Sequence, residues 1–330
     1  MKKIAPLTVL LGSLASVASN ASPGLNIALT NDDGWSTYGI HALFNALGKA
    51  GHTVTLAGPY SGESGSSASI NMDPLVIKKH GEGIYSVATE KGSAEPATSG
   101  MIALDIAGQR GKGAPDLLIS GINDGANIGP ATQVSGTVGA AIVAMGRMLG
   151  DSVPAIAIST DKRCRFKEAE SPEDAVIPDP NDIPAACSEI ADYVVALVDK
   201  LAAAPAFAKG EAPLLPAGLG LNINYPPVEP RGERIASQGR LLYIGQLGGS
   251  ISLSLACEGD CVNMPVGATA SSTRVNGGLV KEADVANSDS TLYAEGYITI
   301  VPIEADYTAR PAASAGLVEQ LQQLIAAPAR

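Results

Sequence analysis

Apolar residues in this chain come in short runs broken by polar turns, and the runs alternate between strand and helix spacing. Leu25-Asn-Ile-Ala-Leu-Thr30 is a strand-length run that stops at Asn31-Asp32-Asp33-Gly34, a turn composition. Ile40, Leu43, Phe44 and Leu47 then fall at i, i+3, i+4 and i+7, one face of a helix that Gly51 ends. Thr53-Val-Thr-Leu-Ala57 is a second strand, so the unit is βαβ and its strands are expected to be parallel. Pro74–Ile77 and Ile84–Val87 read as short strands, Ala97–Ala107 as a helix and Asp116–Ser120 as a buried strand. A polar loop from Gly121 to Val134 follows. Gly136–Leu149 is a helix of Ala, Gly, Val and Met, small enough to pack tightly on a sheet. Pro154–Ser159 and Leu219–Asn224 are further strands, and Ile190, Val194, Leu197 and Leu201 mark a helix between them.

After Arg231 the helical period lapses. Leu241–Ile244 and Ser250–Leu255 predict antiparallel strands with Gly-rich turns. Gly296–Val301 is a last strand, and Leu317, Leu321 and Leu324 share one face of a C-terminal helix. The expected architecture is α/β: a Rossmann-like, mainly parallel sheet flanked by helices over 22–230, then a β-rich extension with a terminal helix over 231–330. Asp161–Pro184 is polar and contains proline, the composition of a surface insertion.

The first 21 residues differ from the rest. Lys2 and Lys3 precede the mostly apolar Ile4–Val17, and Ser19-Asn20-Ala21 is a small-x-small cleavage pattern. This predicts a secretory signal peptide cut after Ala21; the alternatives are an uncleaved anchor or a buried helix. Export to the periplasm or outside the cell follows, with no membrane association once the leader is removed. Losing the two lysines takes the net charge from −11 to −13. An acid balance of that size argues against a general nucleic-acid binder, which carries a basic face. The four cysteines, Cys164, Cys187, Cys257 and Cys261, suit two disulfides in an oxidising compartment. Sequence proximity favours Cys164–Cys187 and Cys257–Cys261 among three possible pairings. A Cys164–Cys187 bridge would close the insertion and restrict the unfolded chain.

Candidate chemistry collects in three polar loops, each following a strand where ligands of open α/β sheets bind. Asp32 and Asp33 are adjacent carboxylates at a strand's end. Their mutual repulsion is relieved by a hard divalent cation bound through oxygen, Mg²⁺, Mn²⁺ or Ca²⁺; the same pair also suits a plain turn with each Asp capping an N–H. A second loop contains Ser64. In the third, Ser120-Gly-Ile-Asn123-Asp-Gly125-Ala-Asn127-Ile-Gly129, asparagines offer carbonyl oxygens to a metal or NH₂ groups to a phosphate, and glycines allow close approach. Ser135-Gly136-Thr137 opens the next helix, where free N–H groups favour an anion and Ser135 can equally serve as a plain cap. His41 and His52 read as structural. Trp35 and Tyr38 lie near the first loop and are able either to stack on a base or to pack in the core.

Asn31-Asp32-Asp33-Gly34 with Gly39-Ile40, Ser64-Gly-Ser-Ser-Ala-Ser-Ile70, and Ser120 through Gly129 followed by Ser135-Gly-Thr-Val-Gly-Ala-Ala141 together resemble the SurE nucleotidases. Weaker family positions are similar at Pro154–Ser159, Leu221–Asn224 and Glu295–Ile300. The resemblance implies a divalent metal, Mg or Mn, held by Asp32, Asp33, Ser64 and Asn123. It implies Asp32, Asp33 and Asn123 as catalytic groups, with Asn31, Ser64, Asn127, Ser135, Gly136 and Thr137 around the phosphate. It further implies hydrolysis of nucleoside 5'- or 3'-monophosphates and a homodimer or homotetramer, with the segment after Arg231 as the candidate oligomerisation region. The leader, the insertion and the cysteines depart from the family pattern and point to an exported branch. Gly92–Ala97 matches the family only loosely, which bears on substrate contacts near Thr98. A broad-specificity exported acid phosphatase and a non-catalytic exported anion-binding protein are the other readings the same loops allow.

Overall fold

Short, nearly continuous apolar runs make central strands buried on both faces, and the helical stretches between them cover the sheet to give a three-layer α/β/α sandwich. The computed structural model describes residues 24–146, 150–162, 164, 172–244, 247–249, 251–256, 271–276, 285–306 and 316–319. The leader, Cys257, Cys261 and most of the expected C-terminal helix lie outside the described residues; 316–319 are helical. In chain order the elements are β1 (Asn26–Thr30), α1 (Tyr38–Lys49), β2 (Thr53–Pro59), β3 (Leu75–Gly81), β4 (Ile84–Thr89), β5 (Gly92–Ser93) and α2 (Pro96–Gly111). There follow β6 (Leu117–Asp124), a 3₁₀ turn at Gly129–Gln133, α3 (Gly136–Met145), β7 (Ala155–Thr160), α4 (Ala185–Ala202), α5 (Pro205–Ala208) and β8 (Leu219–Tyr225). The last are β9 (Glu233–Ile235), β10 (Leu242–Ile244), β11 (Leu247–Gly249), β12 (Ile251–Ala256), β13 (Ser271–Asn276), α6 (Asp289–Ala294) and β14 (Ile298–Glu304).

The main sheet runs β3-β4-β2-β1-β6-β7-β8-β14-β9, with β5 beside β4. From β4 to β8 every pair is parallel. β3, at one edge, joins β4 antiparallel, and β14 joins β8 antiparallel before β9 closes the other edge in parallel with β14. Strand order reverses at β1, which has β2 on one side and β6 on the other. The crevice between the carboxyl ends of β1 and β6 is therefore the topological switch point, where such sheets bind ligands.

Two differences from the sequence reading matter. β6 does not stop at Ser120; it continues through Asp124, pairing Asn123 with Ser159 across a register shift. Gly121 absorbs the irregularity at φ +137°, a conformation other residues resist. Asn123 thus sits on the strand's end rather than in the loop beyond it. The segment after Arg231 also supplies β14 and β9 to the main sheet, as well as the antiparallel pairs β10–β11 and β12–β13. In the insertion, a disulfide joins Cys164 to Cys187 in the first turn of α4, with Cα atoms 5.3 Å apart. Among the described residues no helix is long and apolar enough to cross a membrane.

Candidate active site

The turn after β1 is shaped by Asn31. Its side-chain oxygen accepts from Gly34 N–H (3.2 Å), and its NH₂ donates to the Gly34 carbonyl (2.9 Å) and to Thr37 Oγ1 (3.0 Å). Asn31 is fully buried and holds the loop that aims Asp32 and Asp33.

Asp32 is 3 % exposed and points at the start of α3. Its Oδ1 accepts from Thr137 Oγ1 at 2.7 Å and its Oδ2 from Thr137 N at 3.2 Å. Burial raises the Asp32 pKa, and the two Thr137 contacts pull it back only in part. A carboxylate desolvated this far calls for positive charge beside it. The helix's N-terminal end is partial compensation. Asp33 is half-buried, and its Oδ2 accepts from the Asp124 N–H at 3.1 Å. That bond ties the β1 loop to the tip of β6 and brings Asn123 next to the acidic pair. The Asn123 amide donates to the Gly125 carbonyl at 2.6 Å, which fixes its orientation.

The Ser64 loop closes over the same crevice. Glu63 N donates to the Asp32 carbonyl at 2.8 Å, so Ser64, exposed on this loop, is one residue from a direct contact with Asp32. The loop continues to α3, where there is no space for larger residues. A Cβ at Gly136 would lie 2.8 Å from Ser66 Oγ and 3.0 Å from Asp32 Cβ; one at Gly139 would overlap the Ser67 carbonyl. Ser135 caps α3, its hydroxyl accepting from Val138 N at 3.1 Å. Ser66 Oγ is buried with no hydrogen-bond partner beside this cradle.

Other residues singled out from sequence are spoken for. Asn127 is buried: its N–H donates to Asn224 Oδ1 (2.7 Å) and its NH₂ to Ser159 Oγ (2.8 Å). It braces the loop from below. Trp35 is not placed to stack on a base, because it is 1 % exposed and its ring stacks on His80 at 3.6 Å. Tyr38 packs partly buried against the core. His41 is buried, with Nε2 3.0 Å from the Trp35 carbonyl, and desolvation pushes its pKa down to about 4. His52 accepts from Leu25 N through Nδ1.

Sequence reasoning missed Glu63 and Glu95 at the rim. Burial first, then the neighbouring Glu95, raises the Glu63 pKa. Glu95 Oε2 is shielded and lacks a partner. The pair is 32 residues apart in sequence and no spacing signals it.

Among the described residues no group of three or more His, Cys, Asp and Glu comes together. A cation in this crevice would therefore rest on two carboxylates completed by neutral oxygens. The Asp32–Asp33 pair, Ser64 and Asn123 supply oxygen donors only, which suits a hard divalent ion. The desolvated Asp32 and the orphaned Ser66 hydroxyl are consistent with such a group.

The model of the family described as survival protein SurE matches residues 27–244, which include every residue of this crevice. The 5'-nucleotidase SurE of Nitratidesulfovibrio vulgaris is 31% identical over 304 residues, 86% of this chain and 95% of that protein. The 5'-nucleotidase SurE of Microcystis aeruginosa is 32% identical over 226 residues, 66% of this chain and 70% of that one. The crystal structure of the SurE protein from Aquifex aeolicus shares the fold, with a TM-score of 0.62 at 24% identity over 90% of this chain and 99% of that chain. From the family match over residues 27–244, this chain belongs to the SurE family.

Proposed function

We propose that this protein hydrolyses nucleoside 5'-monophosphates to nucleoside and phosphate at the β1–β6 crevice. The observation that carries the reading is the meeting of Asp32 with the N-terminus of α3, while Asp33 is tied to the tip of β6 beside Asn123. Two carboxylates and the positive end of a helix dipole on one crevice suit a phosphate that arrives with a cation. The nucleotidase relatives support the substrate class.

Asp32, Asp33, Ser64 and Asn123 would hold a divalent ion, Mg²⁺ or Mn²⁺. When bound it supplies Lewis acidity to a phosphate oxygen and lowers the pKa of water. The chain's own groups do the rest. Thr137 locks Asp32 so that its carboxylate does not swing away. Asp33, half-buried rather than sealed, takes a proton from the water that attacks phosphorus in this reading. The positive end of the α3 dipole and the Asn123 amide stabilise the charge that builds on the phosphoryl oxygens. The bond from phosphorus to the nucleoside oxygen breaks, and that oxygen leaves as a hydroxyl.

Two further readings belong to the proposal. The Cys164–Cys187 bridge supports export to an oxidising compartment, with residues 1–21 as the leader. The segment 231–330 is the region through which copies of the chain associate.

The test is phosphate release from AMP with added Mn²⁺. The wild type releases phosphate, and stripping with a chelator abolishes it. Asp32→Asn loses at least about 1000-fold in kcat, as removal of a key charge-handling group does, while its circular dichroism is unchanged. Full activity in the chelated protein or in Asp32→Asn removes the basis of the assignment.

A further inference from the structure

The loop between Asn123 and α3 is gripped at its midpoint from the far end of the chain. Gly129 N donates to both oxygens of Asp289, at 3.1 and 3.2 Å, across 160 residues of sequence. The Gly129 carbonyl accepts from Gln238 Nε2 at 3.0 Å. Asp289 is the first residue of α6 and is fully buried. Its Oδ1 also accepts from Gly239 N (2.8 Å) and Ser290 N (2.7 Å). These backbone partners all donate, which favours the carboxylate over a group that must give a proton and works against the burial that raises the Asp289 pKa. Gly129 has no room for a side chain: at φ +53° its Cβ would sit 2.7 Å from Ser290 Oγ.

The loop's two ends carry the groups that meet the acidic pair. At one end is Asn123, beside the Asp124 N–H that holds Asp33. At the other is Thr137, which holds Asp32. Fixing Gly129 therefore fixes the spacing between them. We propose that Asp289 is a positioning residue for the reaction, and that with Gln238 it holds Gly129 and so completes the active site. The inference rests on the nucleotidase reading above. Asp289 touches no reacting atom; it acts through Gly129.

A positioning role is separable from a purely structural one by comparison with the neighbouring cap. Ser288 Oγ accepts from Thr291 N at 3.4 Å and caps α6. Asp289→Asn puts an NH₂ group against backbone donors and releases Gly129. With AMP and Mn²⁺, it is expected to lower kcat by about 10- to 100-fold, the cost of misplacing reacting groups by up to an ångström. Ser288→Ala lowers the unfolding temperature and leaves kcat at 25 °C unchanged. Should Asp289→Asn fail to fold, Gln238→Ala removes the second hold on Gly129 and lowers the same parameter by a smaller factor. Wild-type kcat in folded Asp289→Asn or Gln238→Ala overturns the proposal, and so does an equal loss of kcat in Ser288→Ala. A wild type that releases no phosphate from AMP refutes the nucleotidase reading instead. Amide exchange over 125–134 then decides the positioning claim by itself: faster exchange in Asp289→Asn than in Ser288→Ala supports it, and equal exchange overturns it.

Discussion

Beneath α1 and α4 the central strands present Ile27, Leu29, Leu117, Ile119, Ile156 and Ile158. Beneath α2 and α3 the same strands present Ala28, Leu118, Ala155 and Ala157, with Thr30, Ser120 and Ser159 toward their carboxyl ends. Successive side chains of a strand point to opposite faces, so one sequence writes both surfaces at once. The first face is bulky and apolar and stabilises by filling space. On the second, small residues let α3 come close enough for its first turn to touch Asp32. That closeness leaves polar atoms sealed in: Thr30 Oγ1 and Ser120 Oγ are buried without hydrogen-bond partners. The difference teaches that stability is concentrated on one side of the sheet and chemistry on the other, at some cost in unsatisfied polar groups.

The largest effect that tests this division comes from a matched pair of substitutions. Ile119→Ala empties space on the bulky face, where Ile119 is fully buried. It is expected to cost about 4 kcal/mol of stability in urea melts, within the usual range for such truncations, with kcat per folded molecule unchanged. Gly136→Ala adds one methyl on the close-packed face, against Ser66 and Asp32. It costs less stability, about 2 kcal/mol of overpacking, but lowers kcat by about 100-fold through displacement of the Ser64 loop and Asp32. The comparison breaks if Ile119→Ala is the variant that loses turnover.

A second effect, somewhat smaller, belongs to the bulky side. His41 on α1 is buried, and desolvation depresses its folded pKa to about 4 from an ordinary 6.5. Above pH 6.5 it is neutral in both states and stability is complete. As pH falls, the unfolded chain takes up the proton first and the folded state loses ground, until His41 itself protonates near pH 4. The loss approaches about 3 kcal/mol over that window. Urea midpoints at several pH values read it out, and His41→Gln flattens the profile. An identical pH profile in His41→Gln means that other groups set the acid limit.

Much of this was legible in the sequence because local chemistry and topology agree. The run Leu25–Thr30 followed by Asn31-Asp-Asp-Gly34 announces a strand that ends in a turn, and β1 ends there. Glycine and alanine in Gly136–Met145 announce a helix pressed against its sheet, and Gly139 is where contact with Ser67 permits nothing larger. What was not legible depends on long-range contact. Asn127 reads as a phosphate ligand because its type and loop suit one; only β7 and β8, which bring Ser159 and Asn224 to it, reveal a brace. Trp35 beside an acidic loop allows either a base platform or core packing, and His80, on β3, decides for packing. α6 was missed because six residues, Asp289–Ala294, are too few to display a helical period, so Asp289 had no element to be read on.

The smallest effect is the most discriminating about how the close-packed face is held. Ser135 caps α3 through Val138 N, and Thr137, two residues on, makes both contacts with Asp32. If the cap only stabilises the helix, Ser135→Ala lowers stability by about 1 kcal/mol, the ordinary worth of such a cap, and leaves KM for AMP unchanged. If the first turn of α3 receives the phosphate, fraying it also weakens substrate binding, and KM rises by several-fold with little change in kcat. We expect the second result, since losing the cap weakens the helix end that meets the anion while the two Thr137 contacts keep Asp32 in place. Ser135→Asp, which restores a capping oxygen but places negative charge at the helix end, completes the contrast. It recovers the stability and repels the phosphate, so a variant with normal melting and raised KM assigns the N-terminus of α3 to the anion, and one with normal melting and normal KM confines Ser135 to the fold.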